Sequence, residues 1–425
     1  CDLLIAGSGP SGLASAYAAA KNGARVILAE DKPRFGGSLL TSDVSINNQS
    51  GKEWADNIIT ELKGMTNVTV KNRAQIFGYY DHNMLVMSER VTDHLPKSEE
   101  FTPKQRLWYI RAKQVVISSG SIERPIVFGN NDTPGVVLAS AAKEYMKVYG
   151  VLVGKKPVVF TNNDSAYETA IEFKKNNINP IVLDSRQDSN SEIIKEAKSL
   201  GIDIKFSHVV VAAKGYKKVK SCDIAEISED KQNLNQIKNI ECDCICVSGF
   251  WTPTIHLASQ SGGKTKFKEE IDAFVPDKSK QKEVTLGSAN GVFTLEETLK
   301  TSFDKGFELS KEITNNNNSQ QIPKVSEKKH SKHDKFWCVP LPKGKKYKRF
   351  LDFQNDVAVS DIELAIREGY RSIEHVKRYT TLGMATDQGK TSNLNGLQLV
   401  SNIENKVVPA VGHTTFRPPY TPISI

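Results

Sequence analysis

A glycine-rich segment with the sequence GSGPSG, at residues 7–12, has the residue types and spacing most suited to chemistry. In a GxGxxG loop the first glycine permits a tight turn, the second admits a pyrophosphate close to the backbone, and the third lets a helix approach the preceding strand. Phosphates would then lie at the positive end of the following helix. A glycine turn without a ligand is the alternative. The predicted ligand contacts in the loop are Gly7, Gly9, Pro10, Ser11 and Gly12.

The residues around the loop predict a strand, the loop, a helix and a second strand that ends at Glu30. Glu30 follows the loop by about 20 residues, where a ribose-binding carboxylate belongs. A carboxylate would repel a 2′-phosphate, so NAD or FAD is favoured over NADP, although Lys32 and Arg34 weaken that argument. Further predicted contacts are Glu30, Asp31, Gly36, Gly37, Ser38, Leu39, Ser119 and Gly120.

Other kinds of catalytic or metal site have no support in the sequence. It contains no P-loop, no HExxH motif and no Ser-His-Asp order, and none of its six cysteines forms a CxxC pair. Cys242, Cys244 and Cys246 alternate along an apolar run, which favours packing on one face of a strand over metal binding. We therefore expect neither a metal site nor a catalytic residue in this chain.

A second strand-turn-helix-strand pattern begins near Lys156, with Asn162-Asn163-Asp164 at the position of the glycine loop. Side chains at these positions would keep a pyrophosphate away from the backbone, although Asn and Asp tolerate left-handed conformations. Asp184 lies where a ribose carboxylate would be, but an aspartate that caps a turn is the favoured interpretation. We expect this module to bind a dinucleotide poorly and to serve as scaffold.

The predicted fold is α/β, with two nested Rossmann-type dinucleotide-binding modules and a small, mainly helical C-terminal domain. The expected ranges are 1–155 with 245–314 for the first module, 156–244 for the second, 315–335 for a flexible linker, and 336–425 for the helical domain. The linker is assigned because this stretch is rich in Asn, Gln, Lys and His and almost lacks apolar residues. For His330 and His333, which lie in this stretch, a solvated charge run is favoured over the alternative of a transition-metal site.

Local patterns make these expectations more specific. Alternating pieces between about residues 53 and 109 predict an antiparallel sheet, and residues 202–213 predict one long strand. In the C-terminal domain, helices are predicted over 359–367, 372–379 and 393–403.

Composition excludes several classes of protein. The chain has 425 residues, of which 39% are hydrophobic and 25% charged, so it can bury a core. Its net charge of +8 is spread out apart from residues 343–349, which favours a solvated basic surface over nucleic-acid binding. No apolar run approaches the roughly 20 residues of a membrane span, and cysteine usage suggests a reducing compartment. We expect a cytoplasmic protein that binds neither nucleic acid nor membrane.

Several longer segments resemble the alpha subunits of heterotetrameric sarcosine oxidases. They include the opening CDLLIAGSGPSGLASAYAAAKNGARVILAED, the middle GSIERPIVFGNNDTPGVVLASA, and, near the end, EGYRSIEHVKRYTTLGMATDQGKTSN and TTFRPPYTP. The resemblance spans essentially the whole chain. The TTLGMATDQGKTSN stretch is long and chemically unusual, which makes it more specific than the glycine loop.

This resemblance implies an oxidoreductase that demethylates sarcosine to glycine, with release of hydrogen peroxide and a one-carbon unit. In that family the alpha subunit holds NAD and shares FMN with the beta subunit, which holds FAD and oxidises the amine; gamma and delta subunits complete the complex. Isolated alpha chain would lack activity. FAD in the first module remains an alternative to NAD. Residues that the resemblance suggests as FMN-facing are Arg371, Lys377, Arg378, Thr380, Thr381, Thr386, Gln388 and Lys390.

The same residues permit other interpretations. The suggested FMN-facing side chains would serve equally well as helix caps or surface groups. Alpha chains of related amine, proline or opine dehydrogenases, or of hydrogen cyanide synthase, share the first two modules, but their small domains carry cluster-binding cysteines, and residues 350–425 have none. A non-catalytic NAD-binding scaffold is a further alternative. The family pattern also predicts a ferredoxin-like segment before Cys1 and a folate domain after Ile425, so we expect a fragment.

Overall fold

The chain, described by a computed structural model at residues 1–318 and 321–422, forms two units. Unit 1 consists of Cys1–Ser121, Pro253–Glu327 and the described residues from Thr415 onward. Unit 2 consists of Ile122–Thr252 and Lys328–Thr414.

The secondary structure alternates strands and helices through both units. The strands are β1 (Leu3–Ala6), β2 (Val26–Ala29), β3 (Ser45–Ile46), β4 (Gln49–Ser50), β5 (Val68–Lys71), β6 (Ala74–Tyr80), β7 (Met84–Arg90), β8 (Gln105–Arg111), β9 (Gln114–Ile117), β10 (Ser121–Glu123), β11 (Val136–Leu138), β12 (Pro157–Thr161), β13 (Ile181–Asp184), β14 (Asp203–Phe206), β15 (His208–Lys214), β16 (Ser221–Glu226), β17 (Lys238–Glu241), β18 (Cys244–Ser248), β19 (Trp251–Pro253), β20 (Lys264–Lys268), β21 (Ala273–Lys278), β22 (Glu283–Thr285), β23 (Val325–Ser326), β24 (Phe350–Asp352) and β25 (Val357–Ala358). The helices are α1 (Pro10–Lys21), α2 (Gly51–Gly64), α3 (Ala139–Tyr149), α4 (Ser165–Lys175), α5 (Glu192–Ser199), α6 (His256–Gln260), α7 (Leu295–Thr314), α8 (Val359–Arg367), α9 (Ile373–Thr380), α10 (Asn393–Ile403) and α11 (Val408–Val411), with short 3₁₀ helices at Gly37–Leu40 and Gly287–Asn290.

Unit 1 is built around a parallel sheet with the strand order β22-β9-β1-β2-β5. The β1 segment LLIA is buried on both faces, as expected for an inner parallel strand. Alanine-rich α1 lies against α7, where Gly306 permits close approach because a Cβ at that position would meet the Ser15 carbonyl oxygen at 2.5 Å. The antiparallel sheet β6-β7-β8 accompanies this layer.

Unit 2 repeats the arrangement with the parallel order β11-β18-β12-β13-β14. The β18 segment CICVS and the β12 segment PVVFT are entirely buried. Cys244 and Cys246 lie in one hydrophobic cluster, whereas Cys242 lies before the strand, in another. Helices α8, α9, α10 and α11 belong to the same unit.

The expected α/β class with two Rossmann-type sheets is confirmed. The expected module boundaries differ from those of the structure, because β11 and β18 pair within the second sheet and therefore bring residues 122–155 and 245–252 into unit 2. The expected 393–403 helix has the same bounds in the structure.

Two local predictions are wrong. Residues 51–64 form α2 rather than part of an antiparallel sheet, because Ser50 and Glu53 make a capping box and the apolar side chains from Trp54 to Leu62 have helical spacing. The predicted 202–213 strand is interrupted at Ser207, whose φ is 53°.

In the stretch predicted as a flexible linker, 315–335, residues 319–320 lie outside the described residues, and other parts of it contact folded elements. Val325 pairs with Ile46 in a short antiparallel bridge, and the Lys324 amide donates to Asn47 at 2.8 Å. From Lys328 onward the chain belongs to unit 2. These contacts satisfy backbone groups of a segment whose composition is polar.

Candidate functional site

The glycine loop joins β1 to α1 and has the steric features expected of it. Gly7 adopts a φ of +103°, where a side chain would be strained, and a Cβ there would overlap the Ser118 carbonyl oxygen. A Cβ on Gly12 would overlap the Gly7 carbonyl oxygen. These two glycines are therefore needed for the fold of the loop itself.

Gly9 differs from its neighbours because a Cβ there would meet no heavy atom within 4 Å. Its φ of −65° is accessible to any residue, so neither strain nor packing within the protein accounts for a glycine. Gly9 is also the N-cap of α1, and this end of the helix has no side-chain cap. The open space and the positive helix end together fit a bound pyrophosphate.

Glu30 lies beside this loop, at the end of β2, and is 7% exposed. Its carboxylate accepts hydrogen bonds from the Ser8 amide at 2.9 Å, the Ser8 hydroxyl at 2.6 Å and the Lys32 amide at 3.0 Å. Burial, with the adjacent Asp31 as the next cause, raises the pKa of Glu30 to about 7. The structure thus places the predicted ribose carboxylate next to the loop and adds Ser8 as a partner that the sequence did not identify.

The Gly36-Gly37 turn supports the loop from the other side. The Gly36 amide donates to the Ser8 carbonyl at 3.0 Å, and a Cβ on Gly37 would come within 2.8 Å of the Gly9 Cα. Both glycines have positive φ. Ser38 and Leu39 follow in the 3₁₀ helix Gly37–Leu40, where Leu39 is buried.

The end of β9 forms the third side of the site. The Ser118 hydroxyl donates to the carbonyls of Ala6 and Gly7 at 3.0 and 2.9 Å. Ser119 donates through its hydroxyl to the Thr254 carbonyl at 2.8 Å, and the Thr254 amide donates to the Gly120 carbonyl at 3.0 Å. Ser119 and Gly120 were predicted contacts, whereas Ser118 and Thr254 were not.

A further glycine at the site was missed. Gly287 has a φ of +65°, and a Cβ there would meet the Ser11 Cβ at 2.9 Å, so it allows the chain after β22 to pass the start of α1. Ser11 also contacts Ser302 of α7, with 2.8 Å between the hydroxyl oxygens. A sequence signal was available, since Val284, Thr285 and Leu286 alternate as in a strand and a glycine follows them directly.

In unit 2 the Asn162-Asn163-Asp164 turn is occupied by the protein's own chain. The Asn162 side-chain amide donates to the carbonyls of Asp334 and Phe336 at 2.7 and 3.3 Å. The Ser331 amide donates to Asp164 at 2.6 Å. We call residues 331–337 the strap.

The strap also brings aromatic rings to this end of the second sheet. His333 stacks on Phe250 with ring centroids 3.9 Å apart and planes 5° apart, and the Arg124 guanidinium lies 4.1 Å from the Trp337 ring centroid. Burial, followed by the charge of Arg124, lowers the pKa of His333 to about 3. His333 is therefore a packed, neutral ring rather than the solvated histidine expected from the sequence.

Asp184 is also hydrogen-bonded to other residues of the protein. Its carboxylate accepts from the Arg186 guanidinium, at 2.7 Å from Nη2, and from the Tyr167 hydroxyl at 2.8 Å. Arg186 also binds Asp164 at 2.8 Å. The predicted turn-capping interpretation fits this geometry, since the Arg186 amide donates to Asp184 at 3.0 Å.

The residues suggested as FMN-facing lie on α9, on the loop of residues 381–392 and, for Arg371, two residues before α9 begins. Asp352 fixes this loop, because its carboxylate accepts from the amides of Gly383 at 2.7 Å and Gln354 at 2.9 Å. The Thr380 hydroxyl donates to the Val376 carbonyl at 2.8 Å within the helix. Exposure differs among the suggested residues: Lys377 is buried, Thr380, Gln388 and Lys390 are partly buried, and Arg371, Arg378, Thr381 and Thr386 are exposed.

The described residues contain neither a metal-ligand cluster nor a helix suited to crossing a membrane. Across residues 1–318 and 321–422, no group of three or more His, Cys, Asp or Glu side chains is arranged to hold a metal ion. Within the same ranges, no helix combines the length and apolar character that crossing a membrane requires.

Two family models match the chain. One, for pyridine nucleotide-disulphide oxidoreductases, covers residues 1–286. The other, for the sarcosine oxidase A3 domain, covers residues 346–425.

Two curated relatives align with the full length of this chain. "Sarcosine oxidase subunit alpha" of Rhizobium meliloti (strain 1021) is 37% identical over 426 residues, which is 100% of this chain and 42% of the relative. The protein of the same name from Corynebacterium sp. (strain P-1) is 35% identical and is covered to 44%. The chain therefore spans less than half the length of these relatives.

Among solved structures, an L-proline dehydrogenase from P. horikoshii has a TM-score of 0.73 at 19% identity and covers 100% of this chain and 78% of its own. A T. acidophilum thioredoxin reductase has a TM-score of 0.56 at 15% identity, over 73% of this chain and 98% of its own. At these identities the likeness concerns the fold alone.

Proposed function

Because the chain belongs to the pyridine nucleotide-disulphide oxidoreductase family and is homologous over its whole length to part of sarcosine oxidase alpha subunits, we propose that it is the dinucleotide-holding part of such a subunit. The complex would oxidise the N-methyl amine of sarcosine, giving glycine and a one-carbon unit, while oxygen accepts the two electrons and leaves as hydrogen peroxide. Partner chains, beta, gamma and delta, would supply the remaining sites.

The dinucleotide we propose for unit 1 is NAD. One observation carries the dinucleotide site: Gly9 leaves open space at an uncapped helix N-terminus, with the Glu30 carboxylate beside it. The choice of NAD over FAD follows from the resemblance to sarcosine oxidase alpha subunits. The first-turn amides of α1 would bind the pyrophosphate, and Glu30 would accept hydrogen bonds from the ribose hydroxyls. A 2′-phosphate would meet a buried carboxylate, which disfavours NADP.

The residues of the site orient a ligand and exclude water rather than transfer protons. Glu30 and Ser8 already hold each other through two hydrogen bonds, so the carboxylate is oriented before the ligand arrives. A nicotinamide dinucleotide supplies hydride chemistry when bound. The protein's own contribution is binding geometry.

Unit 2 would serve as scaffold and would not bind a second nucleotide. Ligands of parallel α/β sheets bind outside the carboxyl ends of the strands, and there the strap already bonds to Asn162 and Asp164. We therefore propose one dinucleotide per chain.

FMN would be shared with the beta subunit at the surface of α9 and the 381–392 loop. Arg371 and Arg378 provide exposed positive charge for a phosphate, and Thr381 and Thr386 provide exposed hydroxyls. Asp352 would keep this loop in shape through its bond to Gly383.

Reconstitution tests the proposal. The chain is purified alone and also after co-expression with its partner subunits, and peroxide release is followed with sarcosine, proline and an opine as alternative substrates. We expect sarcosine-dependent peroxide only from the assembled complex. Turnover by the chain alone, or an assembled complex that oxidises proline or the opine but not sarcosine, would contradict the proposal.

A further inference from the structure

Two lysine-rich loops of unit 2 lie side by side, although they are far apart in the sequence. They are residues 214–220, with the sequence KGYKKVK, and residues 343–349, with the sequence KGKKYKR. The Lys214 ammonium donates to the Tyr347 hydroxyl at 3.1 Å and lies 4.8 Å from the centre of that ring. We call these two loops together the basic surface.

Residues 129–130 fix this arrangement from between the two loops. The Ala213 amide donates to the Gly129 carbonyl at 2.9 Å, and the Asn130 amide donates to the Lys348 carbonyl at 2.7 Å. A Cβ on Gly129 would come within 2.8 Å of the Tyr347 Cβ, so a glycine is needed for this close approach. The fold therefore holds the two loops together through specific contacts.

The basic surface contains the whole excess of positive charge in the chain. It has eight lysines, one arginine and no acidic residue. The chain as a whole has 57 Lys and Arg against 49 Asp and Glu, so 48 basic and 49 acidic residues remain outside the basic surface. Only residues 343–349 stand out as a dense block in the sequence, and the fold adds residues 214–220 to them.

Most of these positive charges have no acidic partner. Lys214 pairs with Asp223 at 3.0 Å, and Arg349 pairs with Glu363 at 3.7 Å. Within residues 1–318 and 321–422, the other seven cations form no salt bridge, and all seven are exposed: Lys217, Lys218, Lys220, Lys343, Lys345, Lys346 and Lys348. Crowded like charges repel one another and destabilise the folded state. A surface that serves only solubility can mix both signs and avoid this cost.

The residue types on the basic surface indicate what kind of partner it fits. Arginine is the preferred residue for bidentate recognition of phosphate and nucleic acid, whereas lysine is a strongly hydrated point charge on a flexible stem. Eight of the nine cations here are lysines. Tyr216, between them, is 92% exposed, so its loop projects into solvent. Such a surface fits dispersed carboxylates and attracts them over a distance.

We propose that the basic surface docks an acidic protein partner, namely a face rich in Asp and Glu on one of the partner subunits. Because the rest of the chain has almost no net charge, the basic surface alone sets the direction from which such a face is attracted. The inference rests on the proposed function, since the partner subunits of that complex provide the acidic face. It deepens that function by assigning a docking surface to two loops of unit 2.

The test measures the association rate constant between the full chain and its purified partner subunits at several salt concentrations. For wild type the rate constant should fall by about tenfold or more between about 0.01 M salt, where the Debye length is about 30 Å, and about 0.15 M, where it is about 8 Å. This readout does not depend on any variant folding.

Two charge-reversal variants locate the effect. The first reverses four exposed cations of the basic surface: Lys217→Glu, Lys218→Glu, Lys345→Glu and Lys346→Glu. The matched control reverses the same number of exposed lysines in unit 1: Lys97→Glu, Lys104→Glu, Lys264→Glu and Lys300→Glu. At about 0.01 M salt the first variant should associate about tenfold or more slowly than wild type, and the control should lose much less. The melting temperature of the first variant should stay the same or rise, because repulsion is relieved.

The possible results separate the docking surface from the proposed function. If the complex oxidises sarcosine but association ignores salt, or if the first variant associates as fast as wild type or as slowly as the control, the docking surface is wrong and the proposed function stands. A wild-type chain that associates with no partner subunit overturns both. Binding of single-stranded oligouridylate or phosphatidylserine vesicles that only the first variant loses, with an unchanged association rate, would assign the surface to phosphates and overturn the inference.

Discussion

Adding a single methyl group at Gly9 should abolish most dinucleotide binding without harming the fold. In Gly9→Ala the new Cβ meets no protein atom within 4 Å and the φ of −65° suits alanine. Replacing glycine by alanine at a compatible position stabilises a protein by about 0.4–1 kcal/mol, because the unfolded chain loses freedom. The melting temperature should therefore stay the same or rise slightly.

The effect on binding follows from where the methyl points. It would occupy the space in which we place the pyrophosphate, so at least one charged hydrogen bond from the first-turn amides of α1 would be lost. Hydrogen bonds to charged groups contribute about 1.5–3 kcal/mol each. Since about 1.4 kcal/mol corresponds to a factor of ten, the Kd for NAD should rise by about tenfold to a hundredfold.

Gly64→Ala is the matched control. Gly64 ends α2, and a Cβ there also meets no heavy atom within 4 Å. Both variants and wild type are stripped of nucleotide, and NAD binding is measured by calorimetry alongside thermal unfolding. Unchanged affinity in Gly9→Ala, or an equal loss in Gly64→Ala, would refute the placement of the pyrophosphate at Gly9.

Three further predictions concern stability and placement. Burial raises the pKa of Glu30 from its usual 4.5 to about 7, so the folded chain binds this proton more tightly than the unfolded chain does. The resulting stabilisation is present below pH 4.5 and is lost as the pH rises to about 7. Glu30→Gln should flatten that part of a plot of unfolding free energy against pH, and an unchanged plot would contradict the burial argument. Arg186→Met leaves the buried Asp184 without its cation and should cost about 3–5 kcal/mol in urea unfolding, whereas a loss below about 1 kcal/mol would show that the pair is dispensable. Asp352→Ala should speed hydrogen exchange in the 381–392 loop and leave NAD affinity unchanged, and equal exchange in variant and wild type would remove Asp352 as the support of that loop.

The glycine loop could be predicted from sequence because each of its constraints is local. The turn at Gly7 and the helix approach at Gly12 depend on residues within one βα unit, and the carboxylate at Glu30 ends the next strand. The polar turn at Asn162, which lacks the glycines of the first loop, can be read from the sequence for the same reason. Sequence order alone contains this information.

The rest of the site depends on contacts between distant segments. Gly287 meets the start of α1, and Thr254 meets the end of β9, only because the fold brings these distant segments together. The strap had no sequence signal either, because its polar composition resembles that of a flexible linker. By contrast, α2 had a readable signal, since Ser50 and Glu53 are spaced as a capping box.

The nucleotide content of the purified chain tests the central claim most directly. Full-length protein is denatured, the released small molecules are identified by mass and absorption, and their amount is compared with that of the protein. We expect one NAD per chain and no flavin in the absence of partner subunits. FAD in place of NAD, two nucleotides per chain, or none after saturation with NAD would contradict it.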